Sequence, residues 1–151
     1  MPDLEEVQVA GRVLHFQTTQ PSGRLTLAVV YAGSNAQSRG EAASLVALLG
    51  TGLAVGDLVL CPLLVEQSEL AAGPGYGAVF STSGVDPELL GAALKQRHVP
   101  CLTGHLEQVA SGSCTVAIRS IPSVGIVLNA VNAATAGVHF ATAFRMMVEE
   151  L

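Results

Sequence analysis

The chain has 151 residues, half of them hydrophobic but only 4% aromatic, with no Trp and a formal charge of −5. That is room for one domain whose core is built from Ala, Val and Leu. Seven scattered basic residues give no electrostatic footprint for nucleic acid, and no uninterrupted apolar run approaches the ~20 residues of a membrane span.

Residues 1–16 carry two periodicities. Leu4, Val7, Gly11 and Leu14 share a helical face, whereas Val7, Val9 and Val13 alternate as a strand does. A helix is the expectation, ended before QTTQPSG, where Pro21 and Gly23 mark a turn. The acidic opening MPDLEEVQVA lacks the hydrophobic segment of a signal peptide. RLTLAVVYAG then reads as a strand closing at Gly33, and SNAQSRGEAASLVALLGTG as a helix with Ser34 or Asn35 as N-cap and Gly50 and Gly52 past its end.

The pattern repeats. DLVLCPLLV is a second strand, with Pro62 suggesting an edge position. SELAAGPG is a short helical turn and loop, and YGAVFSTSG a third strand. VDPELLGAALKQRH is a helix with Pro87 in its first turn and Asp86 and Glu88 at the positive end of its dipole. VPCLTGH is the fourth strand. This alternation predicts a parallel sheet covered on both faces, with right-handed crossovers. SCTVAIRS and VGIVLNAV follow almost without a break, too close for a parallel crossover, and are expected as an antiparallel pair. Asn129 and Asn132 are candidate caps of a short helix ended by Gly137. Phe140, Phe144, Met147 and Val148 recur at helical spacing in a closing helix.

Ligands of open parallel sheets bind beyond the carboxyl ends of the strands. Here that edge carries Ser34 and Asn35, Glu66 and Gln67, Ser81, Thr82 and Ser83, then Thr103, Gly104 and His105. Small hydroxyl-rich turns at helix starts suit a small anion such as a carboxylate or phosphate, although Ser, Thr and Gly also populate any short loop. The candidate ligand-binding set is therefore Ser34, Asn35, Ser81, Thr82, Ser83, Thr103 and His105. Neither GxGxxG nor GxxxxGK[ST] occurs, and no cofactor is expected.

Cys61, Cys101, Cys114, His98 and His105 contain no close ligand pair of the zinc kind. Cys101 and Cys114 are either buried thiols or a disulfide between neighbouring strands, and three cysteines leave one over in any case. GxSxG is absent, and Asp57, Asp86, Glu88, Glu149 and Glu150 fall on loops or helix ends, where solvated and capping charges belong. Nothing in the residues points to an enzyme.

The last forty residues are the most distinctive. A Gly-rich turn at Gly112 leads into the pair 114–120 and 123–129, which closes on Asn129. Ala133 and Ala134 follow, then a last helix with Ala143, Phe144 and Arg145. This run resembles the end of the YfiR-like family of bacterial periplasmic proteins, and RLTLAVVYAGS and VDPELLGAALKQRHVPCLTG fit the family's order of elements upstream. The resemblance implies a periplasmic regulator without catalysis, similar to half of a periplasmic binding protein, that restrains a membrane-bound diguanylate cyclase by protein contact. It also implies stabilising disulfides, one of them a close cysteine pair before the final β-hairpin. Cys114 stands where the later member would fall, but HLEQVASGS before it has no cysteine.

VVYAGSNAQS, AVFSTSG and HVPCLTGHLEQVASG are in turn similar to one lobe of the substrate-binding proteins of ABC transporters, where strand-end Ser, Thr and Asn hold the ligand. The expectation is thus a single YfiR-like domain over residues 1–151, α/β and three-layered, with a mostly parallel sheet and an antiparallel C-terminal strand pair. A homodimer joined through apolar surface on the first or last helix is expected with it, since HFATAFRMMV has more apolar residues than one face can bury.

Overall fold

Asp3 starts the first helix: its carboxylate accepts the Glu6 N–H at 2.8 Å in the computed structural model, which describes residues 2–151. Helix α1 (Leu4–His15) buries Val7, Val9, Ala10, Val13 and Leu14. Strand β1 (Gly23–Tyr31) follows, then α2 (Ala36–Leu49), capped by Asn35 and ended at Gly50, whose φ of 57° favours glycine. Strands β2 (Leu53–Val55) and β3 (Leu58–Glu66) form a hairpin, and a 3-10 turn (Gln67–Glu69) leads towards β4 (Ala78–Ser81). Helix α3 (Pro87–Arg97) opens on Asp86 and Pro87, as the dipole and φ arguments require, and precedes β5 (Cys101–Thr103). Helix α4 (Leu106–Ala110), β6 (Val116–Arg119), β7 (Gly125–Leu128), α5 (Ala130–Thr135), α6 (Thr142–Met147) and β8 (Glu149–Glu150) complete the chain.

All eight strands form one sheet in the order β2-β3-β1-β4-β5-β6-β7-β8. From β3 to β6 it is parallel; β2 with β3 and β6 with β7 are antiparallel, and β8 returns parallel to β7. The expected antiparallel C-terminal pair is present, in register from Val116↔Leu128 to Arg119↔Gly125. Leu27, Ala28, Val29 and Val30 are consecutive and fully buried, as are all residues of β4 and β5. Alternate side chains point to opposite faces, so both faces of the central sheet are covered, as a three-layer α/β arrangement requires. Among the described residues no helix is long and apolar enough to cross a membrane.

Three short elements had no counterpart in the sequence reading: β2, α4 and β8. The closing helix is also shorter than its periodicity predicts. It stops at Met147, Val148 is extended, and Glu149 and Glu150 pair with Val127 and Leu128. Pro62 lies on the portion of β3 that β2 leaves uncovered, because β2 pairs only with Leu58 to Leu60. A missing N–H costs no ladder bond there.

Candidate functional site

The chain passes from β1 to β3 on one flank, then crosses to β4 on the other, so the strand order reverses at β1. The carboxyl ends of β1, β4 and β5 are where such a sheet opens a crevice. The structure brings Asn35, Ser81, Thr82, Ser83, Thr103 and His105 to this edge, but most of their polar groups are already committed. Thr82 Oγ1 donates to Val30 O at 2.7 Å. Its only proton is thereby used, so Ser38 Oγ donates to it at 2.8 Å while accepting Ala32 N–H at 2.8 Å. Ser81 Oγ donates to Gln108 Oε1 at 2.6 Å, and Gln108 Nε2 returns to Thr82 O at 2.7 Å. Thr103 Oγ1 donates to Ser81 O at 3.0 Å and accepts His105 N–H at 3.1 Å. Ser81, Thr82 and Thr103 are no more than 1% exposed. They lace the strand ends to one another.

The outer turns are laced too. Asn35 Oδ1 accepts Ser38 N–H at 3.0 Å, and its amide packs on Gly84, where a Cβ would approach Nδ2 to 2.3 Å. Glu66 accepts from Gly33 N, Ser68 N and Ser68 Oγ, and these bonds, the Ser68 hydroxyl's first, hold its carboxyl below the usual range. Ser34 stays exposed at the turn.

His105 leads to groups that the sequence reading missed. Its Nε2 lies 2.6 Å from Glu41 Oε1, and Nδ1 faces Glu107 at 3.7 Å. Glu41, on α2, is only 8% exposed. Burial pushes its carboxyl up, but hydrogen bonding to His105 and Ser83 outweighs this and holds it below the usual range. An ionised carboxylate only accepts, so Nε2 carries the proton of the 2.6 Å bond. Ser83 is close enough to act on Glu41, yet Glu41 Oε2 and Ser83 Oγ are both buried and neither completes a hydrogen bond of good geometry.

Glu6 completes the cluster from α1. It is also 8% exposed, and its carboxyl lies against the β5–α4 turn, where a Cβ on Gly104 would sit 2.5 Å from Oε1. Burial first, then the charge of Asp3, pushes its pKa up to about 7. Asp3 is held low by Glu6 N–H and by Ser120, whose Oγ donates to it at 2.7 Å and ties the start of α1 to the end of β6. Glu6, Glu41 and His105 line one cleft of about 240 Å³ with Asp3, Phe80 and Arg119. Such a cleft offers two ionised carboxylates, Asp3 and Glu41, one carboxyl that exchanges its proton near neutral pH, and an imidazole.

Among the described residues no three His, Cys, Asp or Glu side chains are placed to hold a metal ion. Cys101 and Cys114 form a disulfide, with Cα atoms 4.9 Å apart and both residues fully buried. Cys61 is free and half-buried on β3. His15 faces Asp57 at 3.5 Å, and His98 Nδ1 lies 3.2 Å from Ala136 O; both contacts are remote from the cleft in the fold.

No family model matches the chain, and no curated protein does. Among solved structures, it is similar to a conserved domain protein from Vibrio cholerae, at 10% identity and a TM-score of 0.59. The likeness takes in 97% of this chain, which spans 59% of the length of that protein. At this identity it speaks to the α/β fold alone.

Proposed function

We propose that this protein is a non-enzymatic periplasmic signalling regulator that works by contact with a membrane-bound signalling protein, such as a diguanylate cyclase. One observation carries the reading. At the strand-end edge the hydroxyls of Ser81, Thr82 and Thr103 are spent internally, while large apolar side chains stand outside: Leu106 is 51% exposed, Ile121 74% and Val124 48%. Leu106 and Ile121 flank Gly104, Ile118 and Arg119, which are shared by the two neighbouring clefts. Apolar side chains gathered at one edge favour cover by another protein.

The resemblance of the last forty residues to the YfiR-like family supports this reading, as does the buried Cys101–Cys114 bridge, which suits an oxidising compartment. A second reading, a small-molecule-binding domain related to periplasmic substrate-binding proteins, draws on the 59% span of a longer neighbour. Deleting the gene should raise cyclic di-GMP in cells carrying the cognate cyclase, and Ile121→Asp should reproduce that rise while the purified variant keeps its melting temperature. Unchanged cyclic di-GMP in the deletion strain would count against the regulator. A rise on deletion that Ile121→Asp does not reproduce would move the contact elsewhere.

A further inference from the structure

We propose that the first turn of α1 is a proton-operated clasp on the docking edge: with Glu6 protonated it holds the β5–α4 turn and the β6–β7 loop, and with Glu6 ionised it lets them go. The inference rests on the reading of that edge as a partner surface, since the two held segments carry Leu106, Ile121 and Val124.

Two contacts make the grip. Asp3 Oδ1 accepts Glu6 N–H at 2.8 Å and starts the helix, while its Oδ2 accepts the Ser120 hydroxyl at 2.7 Å and holds the loop that leaves β6. Glu6 presses on the other segment, so closely that a Cβ on Gly104 would sit 2.5 Å from its Oε1. Ile121 lines the same cleft as these two carboxyls. The grip on Gly104 lasts only while the Glu6 carboxyl tolerates burial, and Glu6 is 8% exposed.

The surroundings do not favour its charged form. Among the described residues no cation forms an ion pair with Glu6. His105 faces it across the cleft, but the Nε2 proton is given to Glu41. Arg119 lines the cleft with its Nε turned to Ser123 O at 3.3 Å and its guanidinium over Gly125. Asp3 from the same helix and Glu41 from α2 are both carboxylates held below the usual range, and the charge of Asp3 outweighs that of the terminal amine. A buried carboxylate so placed gains by reaching water, which lifts the first turn off both segments. Glu6 titrates at about 7 in the closed arrangement against an ordinary 4.5 in water. Opening therefore becomes about tenfold more frequent between pH 6 and pH 8.

Hydrogen exchange on the full chain at pH 6 and pH 8, each rate divided by its intrinsic chemical rate, tests the clasp. The reporters are Glu6 N–H in the first turn of α1, His105 and Gln108 N–H in the β5–α4 turn, and the ladder amides of β6 and β7 near Arg119↔Gly125. They should exchange ahead of the core strand β1 by local opening, and their protection should fall about tenfold from pH 6 to pH 8. In Glu6→Gln it should be the same at both. A melting curve establishes that the variant is folded, and the pH series on the unmodified protein stands without it. Equal protection at the two pH values in the unmodified protein, exchange only in step with β1, or an undiminished pH effect in Glu6→Gln would each overturn the clasp. No partner is present in this experiment, so its outcome is separate from the cyclic di-GMP measurement that decides the regulator reading.

Discussion

Glu6 is the residue whose placement has the clearest thermodynamic consequence. Folding takes its pKa from an ordinary 4.5 to about 7, so between those limits the folded chain binds more protons than the unfolded one. Stability from this group is therefore fully present below pH 4.5 and is lost as pH rises through about 7. A shift of this size corresponds to on the order of 3 kcal/mol. Glu6→Gln, uncharged at every pH, should match the unmodified protein near pH 5 and exceed it by about that amount at pH 8. Urea denaturation at the two pH values checks this, and equal midpoints at pH 8 would show that Glu6 is not strained by its charge. Both missed carboxylates had a readable signal. Glu6 stands three, four and seven positions before Val9, Ala10 and Val13, and Glu41 lies three after Ser38 and four before Leu45, so each falls on its helix's buried stripe. A charge on that stripe needs a partner, and the partner is what a sequence does not display. Glu41 and His105 are 64 positions apart.

At the scale of elements, the segment between β5 and β6 depends on a covalent and a polar latch. The Cys101–Cys114 bridge spans 13 positions and encloses α4. Asn132 Nδ2 on α5 then donates to Gly112 O and Cys114 O, both at 2.9 Å. Asn129 caps α5 as its sequence position suggests, whereas Asn132, read as a second cap, is this latch. A closed loop of this size is worth about 3 kcal/mol. Reductant, or the pair Cys101→Ala with Cys114→Ala, should lower unfolding stability by roughly 2–4 kcal/mol, read as an earlier denaturation midpoint at unchanged slope. An unmoved midpoint would mean that packing and Asn132 hold the loop alone. The long strands and helices were legible because periodicity, Asn35, Asp86, Pro87 and Gly50 agree on them. The short elements were not: β2 has three residues, α4 five and β8 two. Each exists because of its neighbour, and β8 shows this best. Helical spacing through Phe144 predicts one long helix, but the outer edge of β7 draws Glu149 and Glu150 into a ladder.

For the whole molecule, the question is how two copies would meet. Neither sheet edge invites pairing: the β3 edge carries Pro62 and is partly covered by β2, and the opposite edge is the two-residue, doubly acidic β8. Like charges at Glu149 and Glu150 would face each other in a two-fold edge contact. Helix α6 is different. Phe144 is buried, stacked with Phe16 and in contact with Phe140, and this spends the helix's inner face. Met146 and Met147 are left 82% and 65% exposed, with Leu151 52% exposed just beyond them. Methionine adapts its shape to an opposing surface at little strain, and a self-complementary two-fold patch is the commonest route to a homodimer. Dimerisation is therefore expected through α6 and not through the sheet. Sedimentation at micromolar concentration should give twice the 15.4 kDa chain mass, and Met146→Lys with Met147→Lys should return it to the monomer without moving the melting temperature of the monomer itself. A monomer in the unmodified protein removes the dimer, and a dimer that survives both lysines moves the interface to the exposed side of α1, where Leu4 is 45% exposed.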